Sequence, residues 1–541
     1  MIRDIILDGL KKLGITADYI EVDIPKFEAL GDISTPVAMG LAKALKKNPR
    51  MIAQDLVAEI GKHYEFETIE VAGAGFINFR FSHRFLGEQL KLLFDDPIKF
   101  LRPFVSDQRV QIEFVSANPT GPLHLGHGRG AALGAALSNL LSRAGYKVER
   151  EFYVNDAGRQ VRLLGESVYA HYQRLQGKEY PVPEDGYQGE YAVEIAQEIV
   201  DNIKDKYIDS TFKEVSEYFI DFSYKMMLKN IKSDLETFGV TFDSWQSERG
   251  LYQDGTVDCT INELTEHGFI YEHEGASWFK SSQFGDEKDR VIKKANGDLT
   301  YFAPDMAYHR KKAEKGFDIL IDIWGADHHG YIPRMNAVLE ALGHKDKLKV
   351  ILVQMVSLLK DGVPFQMSKR AGNFVTLSEV YEEIGVDTTR FMFLTRRSDS
   401  QLEFDLATAK KESSENPVFY IQYAYARINS IIKKAEEQGI DTGLKGEINT
   451  GLLVEAEELS LIKKLITYPL IFETAARSFE PHRITFYLQE LAGLFHPFYN
   501  KHRVIVDDIE LTQARLLLIV CVKIVIEEGL SVLGISAPDR M

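Results

Sequence analysis

Cysteine is all but missing: Cys259 and Cys521 are the only two in 541 residues. They stand far apart, with no zinc-ligand spacing and no pairing pattern, so a disulfide scaffold is excluded and a reducing cytoplasm is the expected home. Long apolar runs are missing too. The longest, Leu516 to Val522, stops at Lys523, far short of the roughly 20 residues that a membrane span requires. Met1 to Leu13 alternates apolar and charged residues in a helical pattern and lacks the apolar block of a signal peptide. Positive charge is in short supply, with 64 Lys and Arg against 80 Asp and Glu, a net charge of −16. That balance argues against a general nucleic-acid binder, whose phosphate contacts need Lys and Arg. Internal repeats and low-complexity tracts are absent as well.

What is present reads as globular. Hydrophobic residues make up 45% and charged residues 27% of the chain, and the length predicts roughly three or four domains rather than one core. Residues 1–105 show amphipathic helices and short strands and close near Pro103. From about Arg109 the pattern becomes strand, glycine-rich turn, helix, strand (Lys147–Val154), the rhythm of a parallel sheet covered by helices. A polar stretch, Gly177 to Gly186, and an acidic helical segment then interrupt it, so about 160–290 reads as an insertion. Ile319–Trp324 and Lys349–Val353 resume the strands. After about Ala407 only long helical patterns remain, over Asn416–Gln438, Leu452–Phe479, Arg483–Tyr499 and Thr512–Leu530, which predicts a helix bundle. Basic residues cluster at Arg143, Lys147, Arg150, Arg159 and Arg162, and again at Lys369, Arg370, Arg390, Arg396 and Arg397. Such clusters fit a limited RNA track, and equally fit solvated helix faces.

The most informative stretch is Ser116-Ala-Asn-Pro-Thr-Gly-Pro-Leu-His-Leu-Gly-His-Gly-Arg-Gly130. It joins an apolar strand (Val110, Ile112, Phe114) to an Ala/Leu-rich helix running to about Ser142. A helix start offers unpaired N–H groups and partial positive charge, which favour phosphate. His124 and His127 share one face of its first turn, and Gly126 lets a flat ring approach the backbone. A nucleoside triphosphate fits this arrangement; a plain helix start with two surface histidines is the alternative. Downstream, Phe365-Gln-Met-Ser-Lys-Arg-Ala-Gly-Asn373 follows the strand Val350–Val353. Its Lys369 is a mobile point charge suited to β- and γ-phosphates, and Gly372 and Asn373 are turn formers.

His-Leu-Gly-His resembles the "HIGH" signature and Met-Ser-Lys-Arg the "KMSKS" signature of class I aminoacyl-tRNA synthetases, in the family's order and separation. Within that class the chain resembles the arginyl-tRNA synthetases over nearly its whole length. Supporting segments are Gly31-Asp-Ile-Ser-Thr-Pro36, Gly75-Phe-Ile-Asn-Phe79, Val154-Asn-Asp-Ala-Gly-Arg-Gln160, Tyr301-Phe-Ala-Pro-Asp-Met-Ala-Tyr308, Trp324-Gly-Ala-Asp-His-His-Gly-Tyr331 and Ala537-Pro-Asp-Arg-Met541.

The resemblance implies an α/β fold: a Rossmann-like parallel-sheet catalytic domain over 106–406, an α+β N-terminal domain over 1–105 that contacts tRNA, and an all-α anticodon-binding bundle over 407–541. It implies ATP with Mg²⁺, L-arginine and tRNA(Arg) as ligands, no resident protein-bound metal, and a monomer. By the same resemblance His124 and His127 stabilise the α-phosphate in flight, Gly126 packs against adenine, and Met367, Ser368 and Lys369 hold the nucleotide, with Lys369 on the leaving pyrophosphate. The family's first signature lysine is Gln366 here, and Arg370 is the nearest candidate to replace it. A guanidinium calls for a carboxylate partner. Asp305, four residues after Tyr301, fits that need, although Asp in a first helical turn also suits the helix dipole. Asn118 and His329 are further substrate-binding candidates. Asp327-His328-His329 could instead bind a metal, and Asn155 and Asp156 could be ligand contacts or turn formers. Phe76 and Asn78 match positions that read an unstacked base, though alternating Phe76, Asn78 and Arg80 would also form the outer face of a strand. Tyr420, Tyr423, Tyr425 and Arg427 either face the anticodon or belong to the bundle core.

Overall fold

The computed structural model describes residues 2–541 apart from 18, 19, 62, 361, 365–374 and 445. Five parallel strands form its central sheet: β1 (Arg109–Glu113), β2 (Lys147–Val154), β3 (Ser244–Ser247), β4 (Ile319–Gly325) and β5 (Leu348–Val353). Their spatial order is β5-β4-β1-β2-β3, with Ile112 opposite Ile321 and Glu113 opposite Asp322 across the β1/β4 pair. The order reverses at that pair, which opens a crevice at the carboxyl ends of β1 and β4. β1 is covered on both faces, so it reads as an almost continuous buried run, Val110 to Phe114. The helix Leu125–Arg143 lies directly on it. Its Gly/Ala composition allows this: a Cβ on Gly134 would stand 2.2 Å from the Phe114 ring.

The sequence pattern placed an insertion over about 160–290, and the structure divides that range. Helices Arg159–Leu175, Glu190–Ile203 and Phe212–Thr237 build a separate small core around Tyr169, Tyr172, Ile195 and Phe219. The chain then returns to add β3 to the central sheet before a small antiparallel sheet, Ile270–His273, Ala276–Phe279 and Arg290–Lys293. β3 escapes a pattern reading because its four residues, Ser-Trp-Gln-Ser, are all half-buried and show no apolar alternation.

The C-terminal part is a bundle of helices Pro417–Glu437, Ala456–Ser478, His482–Lys501 and Ile509–Leu533. Asn416 caps the first of these through its side chain and Pro417 occupies the first turn, where a missing N–H costs nothing. The run Leu516–Val522 belongs to the last helix and is buried almost all round. No helix among the described residues is long and apolar enough to cross a membrane. The N-terminal part pairs strands Ile33–Thr35, Phe76–Phe81 and Phe66–Ala72 into an antiparallel sheet backed by helices. It docks on the bundle through Asp32–Lys463 at 3.0 Å, Arg3–Glu473 and the bidentate Arg102–Glu528 pair at 2.9 and 2.7 Å.

Candidate active site

The chain leaves β1 through two consecutive left-handed residues, Val115 (φ 66°) and Ser116 (φ 39°). A β-branched residue in that region is strained and needs support. Ser116 supplies it: its Oγ donates to Glu113 Oε1 at 3.0 Å and accepts the Tyr153 N–H at 3.1 Å. The loop then reaches His124, the N-cap of helix Leu125–Arg143. His124 Nδ1 accepts the Gly126 N–H at 3.1 Å, and His127 Nδ1 accepts the His124 N–H at 3.3 Å. Both Nδ1 atoms are thus acceptors, which places the ring protons on Nε2. The rings stack with centroids 3.6 Å apart. A side chain on Gly126 would crowd the His124 ring, since a Cβ would lie 3.0 Å from its Cε1. Burial, and then the neighbouring His124, push the His127 pKa down to about 3, and burial lowers that of His124. Both imidazoles are therefore neutral donors at a positive helix end.

They border a cleft of about 1030 Å³ at the β1/β4 crevice. One wall carries Asn118, His124, Gly126 and His127; the other carries the turn after β4, with His328 and His329, and the end of β5, from Val353 to Met355. Asn118 is exposed and donates to Gln160 Oε1 at 2.7 Å. His329 is exposed on the turn Ala326–Tyr331, its Nδ1 3.2 Å from the Ala326 carbonyl oxygen.

Beside the cleft lies a pocket of carboxylates. Asp305 occupies the first turn of helix Phe302–Glu314 and accepts the Tyr331 hydroxyl at 2.6 Å. Burial raises its pKa to about 6. Glu248, buried at the start of helix Glu248–Gln253 just after β3, is raised to about 7, also chiefly by burial, with Asp305 and Asp156 adding repulsion. With its amide turned so that the nitrogen faces Glu248, Asn155, which lines the cleft, donates to Glu248 Oε2 at 3.0 Å. Each of these two carboxyls is reluctant to ionise, and the charge of one raises the cost of ionising the other. Glu248 and Tyr331 escaped the sequence reading. Glu248 could have been found only by recognising β3, whose end it follows. Tyr331 closes the Trp324–Tyr331 segment, where the histidines drew attention instead.

A buried ionic cluster supports both subsites from below. Lys312 Nζ bonds Glu113 Oε2 at 2.8 Å and Asp322 Oδ1 at 2.5 Å. His309 bridges Asp322 Oδ2 at 2.9 Å and the Asp305 carbonyl at 2.8 Å. Glu113 in turn holds Ser116. Asp156 is structural too, accepting the Ser247 hydroxyl at 2.7 Å and the Arg249 N–H at 2.9 Å.

Of the remaining candidates, Tyr301 stands at the N-terminus of the Asp305 helix with its side chain 74% exposed. Met367, Ser368 and Lys369, with Gln366 and Arg370, lie outside the described residues. Phe76 and Asn78 sit on the outer face of strand Phe76–Phe81, whose residues alternate between outward and buried. In the bundle, Tyr425 is buried and Tyr420 packs against His496 in a tilted arrangement with ring centroids 4.0 Å apart. Arg427 lies over the rings of both Tyr423 and Tyr499, at 4.5 and 4.2 Å, in a cavity of about 750 Å³ that also meets Lys434, Arg540 and Met541.

Comparison with known proteins matches this geometry to three family models: an arginyl tRNA synthetase N terminal domain over 1–81, the catalytic domain of class I (R) tRNA synthetases over 97–412, and a DALR anticodon binding domain over 421–541. A protein of Geobacter sp. (strain M21) named arginine–tRNA ligase is 50% identical over 526 residues, covering 96% of this chain and 95% of its own. A solved structure titled as a putative arginyl-tRNA synthetase from Campylobacter jejuni is 39% identical with a TM-score of 0.77, covering 85% of this chain and all of its own. The arginyl-tRNA synthetase of Thermus thermophilus, at 22% identity and TM-score 0.78 over the whole of this chain and 99% of its own, shares the fold. With half of all positions identical along almost the full length, the chain belongs to the arginyl-tRNA synthetases, the class I enzymes that use ATP to ligate arginine to tRNA.

Proposed function

We propose that arginine is activated across the boundary between the histidine cleft and the carboxylate pocket. ATP lies in the cleft, with adenine against Gly126 and the α-phosphate at the Nε2–H groups of His124 and His127. The arginine guanidinium enters the pocket and pairs with Asp305 and Glu248, drawing both carboxyls back to their ionised forms. Asn118 and His329 meet the other end of the amino acid, and Tyr301 covers it. The amino-acid carboxylate then attacks the α-phosphorus in line and pyrophosphate leaves; the protein contributes positioning and charge stabilisation rather than covalent chemistry. Lys369 is assigned the pyrophosphate, with Met367 and Ser368 beside the nucleotide, on the family signature alone. The cleft wall offers Asp327 as its only carboxylate among the described residues, so Mg²⁺ would be carried largely by the triphosphate oxygens, screening their charge. The 3′-terminal adenosine of tRNA(Arg) accepts the arginine.

For the tRNA, we divide the chain into a tRNA-contacting part over 1–105, a catalytic part over 106–406 and an anticodon-binding bundle over 407–541. Phe76 and Asn78 are placed for stacking and edge recognition of an unstacked base, and the Arg427 cavity combines cation and aromatic faces of the kind that hold single-stranded bases. A monomer is the simplest working unit and a cytoplasmic enzyme the simplest setting.

The observation that carries the reading is the pair of carboxyls, half-buried Asp305 and buried Glu248, both raised in pKa at the sheet edge that carries the two imidazoles. Aminoacylation of total tRNA with radiolabelled arginine, in competition with lysine and citrulline, tests it. Neither competitor should reduce charging, because citrulline is planar without charge and lysine is charged without the fork. Competition by citrulline as strong as by unlabelled arginine would remove the carboxylates from substrate recognition.

A further inference from the structure

Arg129 follows His127 by two residues on the same helix and is 1% exposed. Its Nη1 donates to the carbonyls of Gln354 and Ser400, and its Nη2 to that of Arg397, each at 2.8 Å. Gln354 and the 397–400 turn form one unit, since the Gln354 N–H donates to the Ser398 carbonyl at 2.9 Å. Val353, Gln354 and Met355 make up the cleft wall at the end of β5. A single guanidinium thus connects the helix that carries the imidazoles to this second wall. Among the described residues it forms no ion pair, and burial pushes its pKa down to about 10, with Asp399 only partly compensating. A buried cation without a carboxylate is expensive, and a lysine ammonium cannot reproduce a planar fork that reaches three carbonyls at once.

Arg390 is built in the same way. It is fully buried and donates to the carbonyls of Phe238, Gly239 and Leu533. None of its partners lines the cleft, so it serves as an internal control for what such an arginine does for stability alone.

We infer that Arg129 is a positioning residue for the nucleotide: it clamps the Val353–Met355 wall to the histidine helix and so sets the width of the cleft. This rests on the reading of the cleft as the ATP site. ATP–pyrophosphate exchange, assayed with tRNA present, should be measured for Arg129→Lys, Arg390→Lys and His127→Ala. Arg129→Lys should raise the KM for ATP about tenfold and lower kcat, as expected of a small misplacement of reacting groups, with the KM for arginine within about twofold. Arg390→Lys should lower the melting temperature and leave the KM for ATP where it was. An unchanged KM for ATP in folded Arg129→Lys, or an equal rise in the KM for arginine, overturns the clamp. Arg129→Gln drops the buried charge but keeps planar donors; should lysine not be tolerated, a smaller rise in the same direction is expected of it, and no rise overturns the clamp as well. If His127→Ala also exchanges at full rate, the ATP assignment itself has failed, which is a separate result.

Discussion

The histidine cleft and the carboxylate pocket share one sheet edge, yet they are made in opposite ways. The histidine wall comes from one continuous stretch, and its imidazoles are oriented within it: each accepts a main-chain N–H from a residue three or fewer positions away. The carboxylate group draws on three strands of the central sheet: Asn155 follows β2, Glu248 follows β3, and Asp305 and Tyr331 lie before and after β4. The first is complete before a ligand arrives and presents neutral donors. The second gathers two acids whose pKa values burial raises, which on the proposed reading pair with the guanidinium. A reaction that must position a phosphate and select a guanidinium needs both kinds of site.

The contrast can be broken most forcefully at Asp305. Asp305→Asn should raise the KM for arginine by a factor of one hundred or more, about 3 kcal/mol, because it removes one partner of a buried charge pair. The KM for ATP should stay within about twofold; steady-state kinetics with each substrate varied checks this, and a parallel rise in both would merge the two sites. His127→Ala comes next. Loss of one preformed donor at the α-phosphate should lower kcat for adenylate formation about a hundredfold while equilibrium binding of arginine is unchanged; weakened arginine binding would contradict the division. The smallest effect is that of pH. Glu248 at about 7 and Asp305 at about 6 must ionise to receive the guanidinium. As pH falls from 8 to 6 their protonated fractions grow, and the KM for arginine should climb about twentyfold. His127, pushed to about 3, stays neutral across that range, so the KM for ATP should be flat. A KM for ATP that follows the arginine curve would mean that the imidazoles titrate after all.

The legibility of these regions follows from the same difference. The bundle helices were readable almost to their ends, since each is long and rich in apolar residues and Asn416-Pro417 marks one start. Helix Leu125–Arg143 was readable from its histidine-glycine opening and its small-residue run. β3 was not, and Glu248 was lost with it: a short strand at the sheet edge buries too little to leave an apolar signature. The bundle tyrosines show the same limit within one helix, where Tyr425 is buried and Tyr423 reaches a cavity, a distinction set by the neighbouring helices.

By itself the sequence determined whatever depends on neighbours a few positions apart: the capped helix start, the paired imidazoles, the strand–turn–helix rhythm and the long amphipathic helices. Those arise from backbone geometry and local hydrogen bonds, which short spacing encodes. Only the tertiary structure decided which acid faces which, that Glu248 joins Asp305, that Lys312 pairs with both Glu113 and Asp322 beneath them, and that Arg129 spans two walls. Such contacts bring together residues far apart in the chain, and their energies come from burial and charge in a shared low-dielectric space that no local pattern records.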